Sequence, residues 1–349
     1  MKKTIKLFLT VCSVLILISQ FPFQVIGGSR EASYYQKLPG KKVKCTLCPN
    51  FCELKDGDRG ICKVRENRGG ILYTLVYGGI VTFHNDPIEK KPFYHFLPGT
   101  KAFSIATAGC NLHCFFCQNY TISQKKPEDL PVLEASPEDI VQKAIQLKST
   151  SIAYTYSEPI IFYEYVYDIA KLAHQNGLEN VMVTAGYICE KPLRELCKVI
   201  DAANIDLKGY NKKFYKDVVG CDLEKIKDTI KIMHEEGVWI EITTLIVPGK
   251  NDNPDEIREM CKWIKKELGP DVPLHFSRFH PMYKLKNLEP TPTSTLEKMR
   301  KIAIEEGLNF VYIGNVPGHT ASNTYCPNCK ELLIKRYGYI ISLENITEA

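Results

Sequence analysis

The sequence predicts an α/β protein built on a parallel sheet, with shorter segments added at both ends. Seven short apolar runs, rich in β-branched residues, alternate with amphipathic helical stretches. They cover residues 102–107, 151–156, 180–185, 203–208, 239–247, 273–279 and 309–314. Unbroken apolar runs are typical of strands buried on both faces. Helix starts with proline at the first position occur at Ser136-Pro137 and Asn253-Pro254. The alternation predicts a barrel, or part of one, with chemistry at the carboxyl ends of the strands.

The chain divides into four predicted parts. They are a signal-like or membrane-anchor segment (1–28), a Cys-rich N-terminal segment (29–97), the alternating core (98–314) and a tail that carries a C-x2-C pair (315–349). The 349 residues are 44% hydrophobic and 24% charged, as expected for a globular chain. The net charge of +5 is mild, and it gives no indication of nucleic-acid binding.

The first segment begins with Lys2 and Lys3 and continues with an apolar run from Ile5 to about Ile18. This pattern resembles a signal peptide or a short membrane anchor. Positively charged residues follow the apolar run as well as precede it. The charge distribution therefore does not indicate on which side of a membrane the rest of the chain would lie. Cleavage, anchoring and a wrongly chosen start codon all remain open.

The 14 cysteines are grouped, and the groups predict metal sites. The groups are Cys45, Cys48, Cys52 and Cys62; Cys110, Cys114 and Cys117; and Cys326 and Cys329. A chain of this length can bury its own core, so it does not need disulfides for stability. We therefore expect metal ligands in the groups, and small buried side chains at the scattered cysteines.

The central group follows directly on the first predicted strand. Cys110, Cys114 and Cys117 have the spacing C-x3-C-x2-C, with Phe116 just before the last cysteine. Ferredoxin-type clusters use C-x2-C-x2-C and zinc sites use C-x2-C pairs, so neither pattern fits well. Three ligands leave a fourth position for something other than protein.

This motif, placed after the first strand of a partial barrel, resembles that of the radical S-adenosylmethionine (radical SAM) superfamily. The resemblance implies a partial (β/α)6 TIM-like barrel in which the three cysteines hold a [4Fe-4S] cluster. It also implies that S-adenosylmethionine binds the open iron and is cleaved to a 5′-deoxyadenosyl radical. The chain would then be an enzyme that abstracts hydrogen from a protein or small-molecule substrate.

Further motifs of the superfamily occur at later strand ends. "TYSEP" (155–159) resembles the family's "GGEP", "VTAG" (183–186) resembles "DTNG", and "IDLKG" (205–209) and "SRFHP" (277–281) follow. Val183 departs from the pattern, which removes a polar group there. The resemblance implies that the cofactor-binding residues are Ser157, Glu158, Thr184, Asp206, Lys208 and His280. It assigns no catalytic residue.

A narrower resemblance covers nearly everything after residue 35. "CTLCPNFCELKDGDRGICKVREN" (45–67) and "GNVPGHTASNTYCPNCKELLIKRYG" (314–338) look like the radical enzyme of the AmmeMemoRadiSam system, a relative of pyruvate formate-lyase activating enzyme. This resemblance implies Memo-family and Ammecr-family partners, or a glycyl-radical enzyme as partner. It also implies an electron donor such as flavodoxin or ferredoxin.

The flanking cysteines leave two arrangements open. Cys45, Cys48, Cys52 and Cys62 could form a self-contained site, with the C-terminal pair completed by His319 or by nothing. Alternatively, Cys45 and Cys48 could join Cys326 and Cys329 in a ribbon. The spacing does not separate zinc from a second iron-sulfur cluster.

Three functions therefore compete. The first is a radical SAM enzyme of unknown substrate, the second is an activating enzyme for a glycyl-radical protein, and the third is a non-enzymatic metal-binding or electron-transfer protein. The third explains the cysteines but not Glu158, Asp206 and Lys208. Thiolate-held iron favours reducing surroundings, so we expect a cytoplasmic catalytic domain.

Overall fold

A computed structural model describes residues 28–346. The part that precedes the core consists of short antiparallel strands. These are β1 (Gly28–Glu31), β2 (Tyr35–Leu38), β3 (Lys42–Cys45), β4 (Glu53–Leu54), β5 (Arg65–Arg68), β6 (Ile71–Tyr77) and β7 (Gly79–Ile80). The first six of these strands form two three-stranded sheets, ordered β1-β6-β5 and β2-β3-β4. Residues 1–27, which make up nearly all of the predicted signal-like segment, lie outside the described part of the chain.

Nine further strands follow, and all but one of them form the central sheet. They are β8 (Thr82–Pro87), β9 (Lys101–Ala106), β10 (Leu133–Glu134), β11 (Ser151–Tyr154), β12 (Glu179–Thr184), β13 (Ala202–Asp206), β14 (Trp239–Ile246), β15 (Leu274–Arg278) and β16 (Val311–Gly314). The order in the sheet is β16-β15-β14-β13-β12-β11-β9-β8. Neighbouring strands from β9 to β16 are parallel, whereas β8 runs antiparallel to β9. β10 pairs with β7 instead.

The helices lie between the strands of the sheet. They are α1 (Tyr120–Ser123), α2 (Pro137–Gln146), α3 (Tyr163–Gln175), α4 (Glu190–Cys197), α5 (Lys212–Phe214), α6 (Leu223–Glu235), α7 (Pro254–Leu268) and α8 (Thr293–Glu305). Both predicted helix starts are present. The Ser136 hydroxyl accepts the Asp139 backbone N–H at the start of α2, and the Asn253 side chain accepts the Asp255 N–H at the start of α7.

The architecture confirms the predicted α/β fold with a partial (β/α)6 barrel. All seven apolar runs are parallel strands of one sheet, and six of them are followed by a helix. The seventh, β16, is one edge of the sheet, and β8 is the other. β8 belongs to the predicted N-terminal segment by sequence, but it is hydrogen-bonded to the core.

The interior of the partial barrel is filled at its amino end by the segment between β8 and β9. Ile88 and Phe93 are fully buried against small inward-facing strand residues such as Ala153. The buried carboxylate of Glu241 on β14 accepts the backbone N–H groups of Tyr94 and His95, as well as the His275 Nε2 hydrogen bond at 2.7 Å. These bonds satisfy a charge that would otherwise be costly to bury.

The tail forms a small antiparallel sheet of three strands, β17 (Thr324–Tyr325), β18 (Leu332–Tyr337) and β19 (Ile340–Leu343). Arg336 fixes it to the core, because its buried guanidinium donates to the carbonyl oxygens of Tyr94 and Ser322. Within residues 28–346, no helix is both long enough and apolar enough to cross a membrane.

Candidate active site

One cavity of about 420 Å³ opens at the carboxyl ends of the central strands. Each strand of the parallel sheet contributes to it, either through its last residues or through the loop that follows. The polar and sulfur-bearing residues of its wall include Cys110, Cys114, Cys117, Tyr156, Ser157, Glu158, Asp206, Lys208, Thr243, Ser277 and Asn315. This is the edge at which parallel-strand barrels carry their chemistry.

The cysteine loop after β9 is held against a π-helical turn, Tyr215–Val219, that follows α5. The backbone N–H groups of His113 and Phe115 donate to the carbonyl oxygens of Val219 and Val218, at 3.1 and 3.0 Å. An isolated loop of this length would be mobile, whereas these cross-links fix the direction of the three thiols before any metal binds.

The three thiols fit a multi-iron cluster better than a single metal ion. In the described part of the chain, no three cysteine sulfurs lie within 4.8 Å of one another. Sulfurs on one tetrahedral zinc ion would lie about 3.8 Å apart, because each Zn–S bond is about 2.3 Å long. Thiolates on a four-iron cluster bind different iron atoms, so they are farther apart. Cys110, Cys114 and Cys117 would hold such a cluster on one wall of the open cavity.

Burial keeps the thiols of Cys110 and Cys114 protonated until a metal displaces their protons. Burial raises the pKa of Cys110 well above its usual value and raises the pKa of Cys114 to about 12, although the charge of Lys208 works in the opposite direction at Cys114. Cluster binding must therefore release protons at neutral pH.

Ser157 and Glu158 present polar groups beside the cysteines. The Glu158 carboxylate accepts the Thr184 hydroxyl and the Ala185 backbone N–H, and its burial raises its pKa. The Ser157 hydroxyl is buried and has no hydrogen-bond partner among the described residues, yet the residue lines the cavity. Because buried polar groups are rarely left unpaired, this hydroxyl is free to bind a ligand.

Asp206 and Lys208 form an ion pair on the cavity wall, with Lys208 Nζ 2.7 Å from Asp206 Oδ2. Burial lowers the pKa of Lys208, but the negative charge of Asp206 and its hydrogen bond to Lys208 outweigh the effect of burial, so the pKa is raised overall. The lysine stays charged beside the cysteines, where it offers a cation to an anionic ligand group.

Comparisons with known proteins match the part of the chain that forms this cavity. The family model described as the radical SAM superfamily matches residues 104–264. Pyruvate formate-lyase-activating enzyme from Clostridium pasteurianum is 25% identical over 212 residues, which are 55% of this chain and 86% of that protein. The uncharacterized protein MJ0808 of Methanocaldococcus jannaschii is 50% identical over 91% of this chain and 94% of its own length.

The chain belongs to the radical SAM superfamily. Members of this superfamily are enzymes, and membership implies a [4Fe-4S] cluster and S-adenosylmethionine. Among solved structures, that of a radical SAM methyltransferase from Sphaerobacter thermophilus has a TM-score of 0.49 at 13% identity, covering 62% of this chain and 67% of that chain.

Two residues expected to bind the radical SAM cofactor lie away from the cavity wall. Thr184 is buried, and its hydroxyl donates to Glu158 and accepts the Gly186 N–H, so its side chain faces a neighbouring residue and not the cavity. His280 is exposed and does not line the cavity. Cofactor binding by these two residues stays a prediction; the structure shows that Thr184 is hydrogen-bonded to Glu158 and that His280 is outside the lining of this cavity.

A further polar cluster on the cavity wall belongs to none of the sequence motifs. Asp86 at the end of β8 accepts Lys91 Nζ at 2.6 Å and the Tyr156 hydroxyl, and both of these donors line the cavity. Burial lowers the pKa of Lys91 to about 8, against the raising effect of Asp86. No local pattern reveals this cluster, because Asp86 and Tyr156 are 70 positions apart.

The structure separates the flanking cysteines into two places. Cys45, Cys48, Cys52 and Cys62 line one small cavity together. Cys326 and Cys329 belong to the β17–β18 turn, where Cys329 is exposed. Of the two arrangements left open by the sequence, the described residues place the four N-terminal cysteines on one cavity whose lining does not include Cys326 or Cys329. His319 caps the turn Thr320–Ser322 and accepts the Ala321 N–H.

Proposed function

We propose that this chain cleaves S-adenosylmethionine reductively and uses the resulting 5′-deoxyadenosyl radical to take a hydrogen atom from a substrate. The single observation that carries the proposal is the shared cavity. Three cysteines, the free hydroxyl of Ser157, the carboxylate of Glu158 and the ion pair of Asp206 with Lys208 all line it.

The residues of the chain have separate roles in this proposal. When bound, the cluster supplies one electron for breaking the C5′–S bond of the sulfonium. Glu158 accepts the methionine ammonium group, for which its hydrogen bonds to Thr184 and Ala185 orient it. Lys208 pairs with the methionine carboxylate, and Asp206 accepts a ribose hydroxyl. Ser157 donates its unpaired hydroxyl hydrogen.

The electron balance requires an external donor. One electron enters from a low-potential protein of the flavodoxin or ferredoxin class, and the cleavage yields methionine and the 5′-deoxyadenosyl radical. That radical takes one hydrogen atom and becomes 5′-deoxyadenosine, which leaves the substrate as a radical. The hydrogen donor is either a protein or a small molecule.

A second candidate is activation of a glycyl-radical enzyme, in which the hydrogen donor is a backbone glycine. The relatives named pyruvate formate-lyase-activating enzyme favour it. The added Cys-rich segment argues for a different substrate, and so does the narrower resemblance to the AmmeMemoRadiSam enzyme, which would bring Memo-family and Ammecr-family proteins as partners. A gene for a glycyl-radical enzyme or for a Memo-family protein beside this one would separate the two. Either version acts in the cytoplasm.

The deciding experiment uses the full chain, purified without oxygen, reconstituted with iron and sulfide, reduced with dithionite and supplied with S-adenosylmethionine. We expect 5′-deoxyadenosine from the wild type and none from Cys114→Ala. Cys261→Ala is the matched control, because this cysteine is equally buried but lies within α7. A wild type whose reduced cluster forms no 5′-deoxyadenosine, with or without cell extract as a source of substrate, would favour the electron-transfer alternative.

A further inference from the structure

The four N-terminal cysteines meet in one place. Cys45 ends β3, Cys48 and Cys52 lie in the loop before β4, and Cys62 lies in the turn before β5. All four line the same small cavity, and all are free thiols. A Cβ atom added at Gly60 would lie 3.6 Å from the sulfur of Cys52 and 3.7 Å from that of Cys62, so both of these sulfurs are adjacent to Gly60.

The buried guanidinium of Arg65 lines the same cavity and, within residues 28–346, lacks hydrogen-bond partners for some of its N–H groups. Arg65 lines it with a side chain that is only 2% exposed. Its Nη2 donates to both carboxylate oxygens of Glu164, at 2.8 and 2.6 Å. Its Nε and Nη1 find no hydrogen-bond partner among the described residues. Unpaired guanidinium N–H groups at this depth are costly, so the cavity calls for an anionic group with several acceptor atoms.

The spacing of the sulfurs distinguishes two kinds of anionic centre. Four thiolates around zinc and four thiolates around an iron-sulfur core both carry negative charge. In the described residues no three cysteine sulfurs are within 4.8 Å of one another, whereas zinc would hold them about 3.8 Å apart. A four-iron core separates its ligands, and its sulfides offer acceptors to the two free N–H groups of Arg65.

We propose that Cys45, Cys48, Cys52 and Cys62 bind a second [4Fe-4S] cluster, with Arg65 as its hydrogen-bond donor. Four protein thiolates complete this cluster, so unlike the first it has no open iron for S-adenosylmethionine. A cluster with four thiolates carries a net charge of about −2, which the guanidinium of Arg65 partly balances. The site is independent of the proposed reaction, because it uses none of the residues on the wall of the larger cavity.

The second site lies directly beside the first. The Asn50 side chain donates to the Asn111 carbonyl oxygen at 2.9 Å, and Asn111 follows Cys110 in the chain while also lining the smaller cavity. Gly109, which precedes Cys110, touches the backbone of Cys62: a Cβ atom there would lie 2.5 Å from the Cys62 carbonyl oxygen. The two cysteine loops are therefore in contact.

The test is metal stoichiometry in variants of the full chain. Each protein is reconstituted anaerobically with iron and sulfide, and iron, sulfide and zinc are then quantified and the iron is examined by Mössbauer spectroscopy. We expect about eight iron atoms in the wild type and about four in the triple variant Cys110→Ala, Cys114→Ala, Cys117→Ala. Adding Cys48→Ala and Cys52→Ala to that variant should remove the remaining iron. The control is Cys189→Ala, which should keep about eight iron atoms. The Cys189 backbone N–H is hydrogen-bonded to Leu47, which lies between the proposed ligands Cys45 and Cys48.

Two results would overturn the proposal: about four iron atoms in the wild type, or a triple variant that holds zinc or no metal. Both of these proteins keep the four N-terminal cysteines, so misfolding of the five-cysteine variant would not affect the decision. Formation of 5′-deoxyadenosine by a wild type with one cluster would refute the second site while supporting the proposed function.

Discussion

Thr184 donates its hydroxyl hydrogen to the buried carboxylate of Glu158, across the ends of the neighbouring strands β12 and β11. The Ala185 N–H donates to the other carboxylate oxygen at 2.9 Å. The residues at the end of β12 thus fix the orientation of the Glu158 carboxylate, which follows β11 and lines the cavity. We therefore expect Thr184 to act through Glu158 as a positioning residue, while its own contact with the cofactor stays a prediction.

Replacing Thr184 by valine should weaken S-adenosylmethionine binding about 10- to 150-fold, because a hydrogen bond to a buried carboxylate contributes about 1.5–3 kcal/mol. Iron content should not change. Calorimetric titration of the reconstituted protein measures the dissociation constant. Thr184→Ser keeps the hydroxyl and should bind like the wild type, and Thr295→Val on α8 serves as the control. Unaltered affinity in Thr184→Val would exclude the positioning role.

Gly109 should be far less tolerant of alanine than Gly237, although both have positive φ angles, of +93° and +81°. A Cβ atom at Gly109 would lie 2.6 Å from Val64 Cγ1 and closer still to Cys62, whereas one at Gly237 meets nothing within 4 Å. We expect Gly237→Ala to lose about 1 kcal/mol of unfolding free energy, and Gly109→Ala to lose about 1–3 kcal/mol more. Urea unfolding of the metal-free chains measures both losses, and equal losses would contradict the tight approach of the two cysteine loops.

Asp86 is the counter-charge of Lys91, which is only 2% exposed. Asp86→Asn should lower the unfolding free energy by about 3–5 kcal/mol, because it leaves a buried charge without a partner. Asp86→Asn combined with Lys91→Met should recover much of that loss. The matched comparison is Asp217→Asn, which breaks an exposed pair with Lys213 and should leave the unfolding free energy almost unchanged, because solvent screens that pair. Similar losses in the two single variants would rule out a structural role for the Asp86 pair.

The free energy of unfolding should decrease as the pH falls from about 6.5 towards 4, because the unfolded chain then gains a proton at His95. Burial lowers the pKa of His95 from 6.5 to about 4, while the nearby charge of Glu241 acts in the opposite direction. Between these values the unfolded chain binds a proton that the folded chain does not, so acid favours unfolding. Melting temperatures of the metal-free chain between pH 7 and pH 5 should fall less in His95→Phe than in the wild type. His234→Phe, on an exposed position of α6, should behave like the wild type; a slope unchanged in His95→Phe would contradict the assignment.

The strands, the helix starts and most of the cavity-lining site residues can be predicted from short patterns in the sequence. Unbroken apolar runs locate the seven parallel strands, and Ser136 and Asn253 mark helix starts by side-chain bonds to residues two or three positions away. The cysteine spacing and the strand-end motifs identify Cys110, Cys114, Cys117, Glu158, Asp206 and Lys208. These residues share a cavity because the carboxyl ends of parallel strands meet at one edge.

Only the tertiary structure decides which way a side chain turns after its strand ends, and which distant segment it meets. Thr184 turns to Glu158, and His280 to solvent, because of packing that a strand-end motif does not contain. Arg65 reaches Glu164 across 99 positions, and β8 brings Asp86 to Tyr156 across 70. Spacing alone likewise left the pairing of the flanking cysteines open. These contacts depend on how the N-terminal strands pack against the barrel, and no short stretch of sequence carries that information.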